Sequence, residues 1–317
     1  ALDNLYTWRF TNNDNQDECV RISKEFMELG GIPRILNFIQ GNKNNIGVMF
    51  RASRVIRMFL HPGSNDEHLE HASTMAQKFV EREGVEMMLS IIKEKYTGGL
   101  NTNQLNTLAC IFSVFSNTMW NMNKKNMVDI EKFLPVVDAG ISTMVILSNI
   151  STHDVVVARI KKYIFNFFDN FVHYNAEMID IDEFQEKNIF SECVRALKNP
   201  IDNSWNYDKE AWGEASSFFY ECCTEKRKIL SRESDFEVII PFLIQFIKAD
   251  PDYASRWYAF DILREASDTI GKKKMTKKTK GLLRVLGATA DPDNDDNVSD
   301  DVQEKAMHLM KHLFDES

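Results

Sequence analysis

Glu28-Leu29-Gly30-Gly31-Ile32-Pro33-Arg34-Ile35-Leu36 is a phrase that the chain repeats. It returns as Glu83-Gly84-Val85-Glu86-Met87-Met88-Leu89 and as Asp138-Ala139-Gly140-Ile141-Ser142-Thr143-Met144-Val145. Each copy is followed by a loop and then by a long stretch of helical periodicity. Pro33 suits an opening helical turn, where its missing N–H would have no partner anyway. A spacing of roughly 40–55 residues, recurring through a helical chain, is the pattern of stacked repeats that bury their apolar faces against one another. The phrase therefore predicts an all-α solenoid, and a binding role rather than the identity of a partner.

Six approximate units follow, at 10–62, 63–121, 127–174, 181–230, 234–271 and 277–316, in a single repeat domain over 1–317. Each is expected to hold a helix before the glycine, a second after it and a longer third. The third helices carry apolar stripes at i, i+3/i+4 and i+7. Val48, Ala52, Val55 and Phe59 form the first stripe; Leu105, Leu108, Phe112 and Phe115 the second; Val156, Ile160, Ile164, Phe167 and Phe171 the third. In the third unit the spacing predicts helices over 132–139 and 141–149, parted at Gly140. In the fourth, Asn188 takes the glycine's place, since Asn also tolerates the left-handed conformation. In the fifth, helices over 235–248 and 252–270 are joined through Asp250-Pro251, as N-cap and first helical residue. In the sixth, the first helix is shortened or lost, and the lysine run Lys272–Lys280 before it reads as a solvated loop between units.

A three-helix unit built on Gly31-Ile32-Pro33-Arg34-Ile35-Leu36 resembles the armadillo repeat. The resemblance is best in the first unit, moderate in the second and third, and closer to HEAT repeats in the last three. It implies a right-handed α-solenoid of about six armadillo-like repeats whose third helices line a concave face. Nuclear-import adaptors of that family carry a Trp four residues before an Asn on the third helices. Here Ser113, Lys162 and Asn166 precede Asn117, Asn166 and Asn170 instead, so the resemblance does not extend to those adaptors.

Composition agrees with this class. The 317 residues are 44% hydrophobic, enough for a continuous core. Gly and Pro number only 13 and 7, too few for the tight turns of an all-β fold. The 22 Phe and 14 Met suit helix–helix packing. A net charge of -9 argues against a dedicated nucleic-acid binder, whose phosphate contacts need a basic face. No apolar run approaches the roughly 20 residues of a membrane span. The opening, which begins at Ala1, has no basic or apolar segment of a signal peptide and reads as a processed product or as a piece of something longer. Five cysteines without framework spacing read as reduced thiols, so a cytoplasmic setting is expected, with nucleus and organelles left open.

The polar face of the third helices is the expected contact surface. Arg51, Arg54 and Arg57 recur at i, i+3 and i+6 in the first unit. Asn106, Ser113 and Asn117 follow in the second, and Arg159, Lys162, Asn166 and His173 in the third. A basic-to-neutral groove on an acidic protein would attract an acidic helix or an extended acidic segment, which Arg can grip bidentately. Trp120, Trp212, Trp257 and Tyr258 near these ladders read mostly as core. Asp293, Asp295, Asn297, Ser299, Asp301 and Glu304 have calcium-loop spacing but Val298 where that loop needs Gly, so they read as an acidic loop with a helix cap. His308 with His312, and His68 with His71, lack the further ligands of a zinc site. No phosphate-binding glycine loop, nucleophile elbow or carboxylate dyad stands out. Neither metal, cofactor nor catalysis is expected. The reading is a non-enzymatic protein-interaction scaffold; the alternatives are an armadillo-type co-chaperone or regulatory factor, and a structural subunit of a large assembly. Oligomeric state is not legible.

Overall fold

In the computed structural model the described residues are 16–61, 66–96, 100–150, 155–175, 177, 179–199, 202–224, 228–249, 253–278, 281–291 and 300–314. Among them there are sixteen helices and no strand. In order these are α1 (Gln16–Glu28), α2 (Gly31–Gly41), α3 (Ile46–Leu60), α4 (Asp66–Glu81), α5 (Gly84–Lys95), α6 (Thr102–Lys124), α7 (Ile130–Leu147) and α8 (Val155–Asn175). They continue with α9 (Ile181–Glu186), α10 (Ile189–Ala196), α11 (Lys209–Cys223), α12 (Glu233–Ala249), α13 (Tyr253–Ile270), α14 (Lys272–Lys278), α15 (Leu282–Ala290) and α16 (Asp300–Phe314). The all-α reading is met. The contacts divide the chain into two compact bodies, Ala1–Ile146 with His153–Tyr174, and Leu147–Thr152 with Asn175–Ser317. The division falls between the expected third and fourth units.

The repeated phrase works through two adjacent positions rather than one glycine. The residue just before each second helix is left-handed: Gly30 (φ 66°), Glu83 (φ 57°), Asn188 (φ 52°) and Gly281 (φ 106°). The next residue must be small in the first two units. A Cβ on Gly31 would lie 2.4 Å from the Phe26 ring, and one on Gly84 2.4 Å from the Phe79 ring. The preceding helix thus folds its aromatic ring, five residues back, over the start of the next.

Third helices also share an opening. Asn45 accepts from the Val48 N–H at 3.2 Å, and Asp208 from the Ala211 N–H at 2.8 Å. Asn101 exchanges bonds with Gln104 in a full capping box. Such caps satisfy amides that the helix itself cannot, each contributing about 1 kcal/mol.

Inside the N-terminal body α3 packs along α6, α1 along α4, and α4 against both α3 and α6. In the C-terminal body α11 packs on α13 and α13 on α16, while α10, α12 and α15 follow one another on the other side. The expected stripes make the core: Ala52, Val55, Phe59, Leu105, Leu108, Phe112, Phe115, Ile160, Ile164, Phe167 and Phe171 are all buried, with Val48 and Val156 half-buried at the stripe ends. In the C-terminal body Trp212 is buried against Trp205, Phe242 and Phe246. Each fully buried aromatic contributes about 1.5–3 kcal/mol.

Two expectations need correcting. Residues 132–149 do not break at Gly140; α7 runs unbroken through it and through Pro135. Gly140 instead lets α8 approach, since a Cβ there would come within 2.8 Å of Phe168 Cζ and 3.2 Å of Ile164 Cγ2. The lysine run is not a loop either. Residues 272–278 form α14, seated by the buried Met275 against α13 and α16 and tied by Lys274 to Glu233. A single apolar anchor was enough to turn a charge run into a helix. The acidic stretch 292–299, Trp8 and the side chain of His68 lie outside the described residues.

Candidate partner-binding surface

The third helices α3, α6 and α8 of the N-terminal body are joined side by side through their polar faces. Asn121 donates at 2.8 Å to the Leu60 carbonyl at the end of α3, and Asn117 at 3.5 Å to the Arg57 carbonyl. On the other side of α6, Ser116 donates to the Asn166 side chain of α8. Asn170 donates back to the Asn166 carbonyl at 2.7 Å. The asparagines therefore bind one helix to the next, and each such bond to a buried carbonyl is costly to leave unmade.

The expected cations do come together. Arg57 reaches from α3 across α6 and stacks on Tyr163 of α8, 5.1 Å from the ring centroid. It also hydrogen-bonds the Cys110 thiol of α6. Arg54, one turn earlier, lies over its own neighbour Phe50 at 5.1 Å. Arg159 stands on α8 one turn before Tyr163, and its charge, with those of Arg57 and Arg54, acts on the same thiol. Burial pushes the Cys110 thiol up, and the three arginines pull it the other way. Arg51 and Arg159 are exposed; Arg54, Arg57 and Lys162 are half-buried.

The neutral part of the ladder is more enclosed than the polar pattern implies. Ser113 is 2% exposed, covered because α6 is flanked on both sides, and offers a partner no surface. Asn106 and Asn117 are half-buried, Asn106 bonding the Thr102 carbonyl at 2.9 Å. Asn166 is committed to the bonds above. His173 is exposed at the end of α8, its ring edge-on to Tyr174 at 4.5 Å. Cys110 and Tyr163 were not singled out by the sequence. Cys110 sits four residues after Asn106 and seven before Asn117, so its place on the stripe was available from spacing alone.

In the C-terminal body α13 and α16 bound a depression of about 350 Å³ lined by Phe260, Asp261, Arg264, Lys305, His308 and His312. Its charges are largely spent internally. Lys305 bonds Asp261 at 2.8 Å and lies 3.5 Å over the Trp257 ring, while His312 meets Asp268 at 2.9 Å and His308 meets Glu304 at 3.3 Å. Of the aromatics noted in the sequence, Trp212 is core, Trp120 and Tyr258 are half-buried, and Trp257 is 39% exposed. Among the described residues no group of His, Cys, Asp and Glu is placed to hold a metal ion, and no helix is long and apolar enough to cross a membrane.

No protein-family model matches the chain, and a search of curated proteins returns no match.

Proposed function

We propose that the protein is a non-enzymatic interaction scaffold that holds an acidic segment of a partner protein along the third helices of its N-terminal body. The observation that carries this reading is the meeting of Arg54 and Arg57 from α3 with Arg159 from α8 over one point of α6. Like charges repel, so their convergence is unfavourable in the free protein and is relieved by an anion. Arg51 and Lys162 extend the same surface beyond that point. Arg57 is already stacked and hydrogen-bonded, so little of its side-chain freedom is lost on binding. The recurring left-handed turn, the Asx caps and the side-by-side third helices support the wider reading of a right-handed α-solenoid of about six armadillo-like repeats.

The reading is tested by fluorescence anisotropy with labelled peptide pools, one with Asp/Glu-rich random sequence and one Lys/Arg-rich of equal length. The acidic pool should bind and the basic pool should not, with affinity falling as salt rises, because exposed charges are screened over about 8 Å at physiological ionic strength. Equal binding of both pools, or binding indifferent to salt, would contradict it.

A further inference from the structure

We propose that the seat formed by Arg54, Arg57 and Arg159 over Cys110 takes a phosphorylated Ser, Thr or Tyr side chain of the bound segment, in preference to a carboxylate. This rests on the acidic-segment reading above and names its anchor.

The argument is one of charge count and donor geometry. A carboxylate brings one negative charge and two acceptor oxygens. A phosphate monoester brings about −1.5 to −2 charges and three strong acceptor oxygens. Three guanidiniums converge here, from two helices on opposite sides of α6, so donors approach a common point from more than one direction. Arg57 is fixed by its stack on Tyr163, 5.1 Å from the ring centroid, and Arg159 lies one turn from that same tyrosine on α8. Arg54 lies one turn from Arg57 on α3. The spacing thus follows from helix geometry and not from three independent side-chain placements. The floor adds no compensating charge: Cys110 is 4% exposed, and its burial favours the neutral thiol. Guanidinium forks match phosphate oxygens bidentately, which a lysine ammonium cannot do. A protein segment is favoured over a lipid headgroup, because the seat lies at the junction of three helices whose flanking positions, Arg51 and Lys162, extend along it. A chain with acidic residues beside its phosphate would use those flanks, and a headgroup would not.

The test is fluorescence anisotropy of the whole chain with three labelled peptide pools of identical acidic flanks, whose fixed central residue is Ser, Glu or phosphoserine. The phosphoserine pool should bind about tenfold or more tighter than the Glu pool. Arg57→Lys should remove that preference while retaining binding of the Glu pool, and Arg159→Gln, on an exposed residue, should weaken the preference without unfolding the helices, as circular dichroism would verify. If phosphoserine and Glu pools bind equally, the anchor assignment is overturned while the acidic-groove reading stands. If no pool binds, both fall. Inorganic phosphate that displaces the phosphoserine pool at equal concentration, or vesicles containing a phosphoinositide that bind more tightly than that pool, would also overturn the assignment to a protein segment.

Discussion

Gly30 and Gly31 are adjacent and are required for different reasons, which makes their alanine variants a discriminating pair. Gly31 has ordinary backbone angles, but a Cβ on it would sit 2.4, 2.4 and 2.5 Å from three carbons of Phe26. Ordinary carbon contacts are about 3.5–4.0 Å, so the ring must retreat by roughly an ångström. Phe26 is stacked on Phe59 with centroids 3.8 Å apart, and Phe59 is 1% exposed, so the ring has little room to retreat. Overpacking costs about 1–3 kcal/mol and loss of the ring pair about 0.5–1.5. Alanine's better helix propensity returns up to about 1. A net loss of about 2 kcal/mol is expected for Gly31→Ala. Gly30→Ala meets open space, so only its left-handed backbone is penalised, at about 1–2 kcal/mol. What separates the two is the remedy. Adding Phe26→Leu to Gly31→Ala should recover part of the loss, whereas adding it to Gly30→Ala should cost extra. Hydrogen exchange by mass spectrometry over α1–α3 is the suitable assay, because two compact bodies need not unfold in one step. Additive losses in both pairs would refute the reasoning.

Three further expectations concern the rest of the molecule. The segment 1–175 should fold alone, with the helical circular dichroism of its share of the chain, because it contains the whole N-terminal body; a random-coil spectrum would contradict its independence. Burial pushes the Cys223 thiol up to about 12, so only about one molecule in ten thousand carries the thiolate at pH 8, and iodoacetamide should label it at the free-thiol rate only after unfolding. Burial, opposed by Arg232, raises the Asp235 carboxyl, so its ionised form is disfavoured in the fold. That group subtracts stability at neutral pH and stops doing so as pH falls through its raised pKa; Asp235→Asn should therefore be the more stable protein at pH 7 in urea titrations, with the gap closing in acid.

The apolar half of the structure was legible in the sequence because helical burial is periodic, and the buried stripes from Ala52 to Phe171 follow from spacing. What escaped depends on contacts between distant residues. Nothing local says that Gly140 continues a helix, since the reason is Phe168 of α8 pressing on it. Met275 converts the lysine run into α14 only because α13 and α16 are there to receive it. The phrase itself was read one residue late: the left-handed turn belongs to Gly30 and Glu83, and the glycine after each is set by an aromatic ring. The arginine ladder was visible as spacing on α3 and α8. Its convergence on Cys110, and the enclosure of Ser113, were not, because both depend on which helix lies between.

The central claim is that charge on the α3–α6–α8 surface selects an acidic partner segment, and a charge swap tests it most directly. Arg54→Glu with Arg159→Glu alters one half-buried and one exposed side chain, so the fold should survive. Measured by anisotropy, the acidic peptide pool should bind the double variant far more weakly, by about 2–5 kcal/mol if the lost contacts are desolvated. The Lys/Arg-rich pool should gain affinity in step. Unchanged binding of the acidic pool to a folded double variant would contradict the claim and would place the contact on another face of the protein.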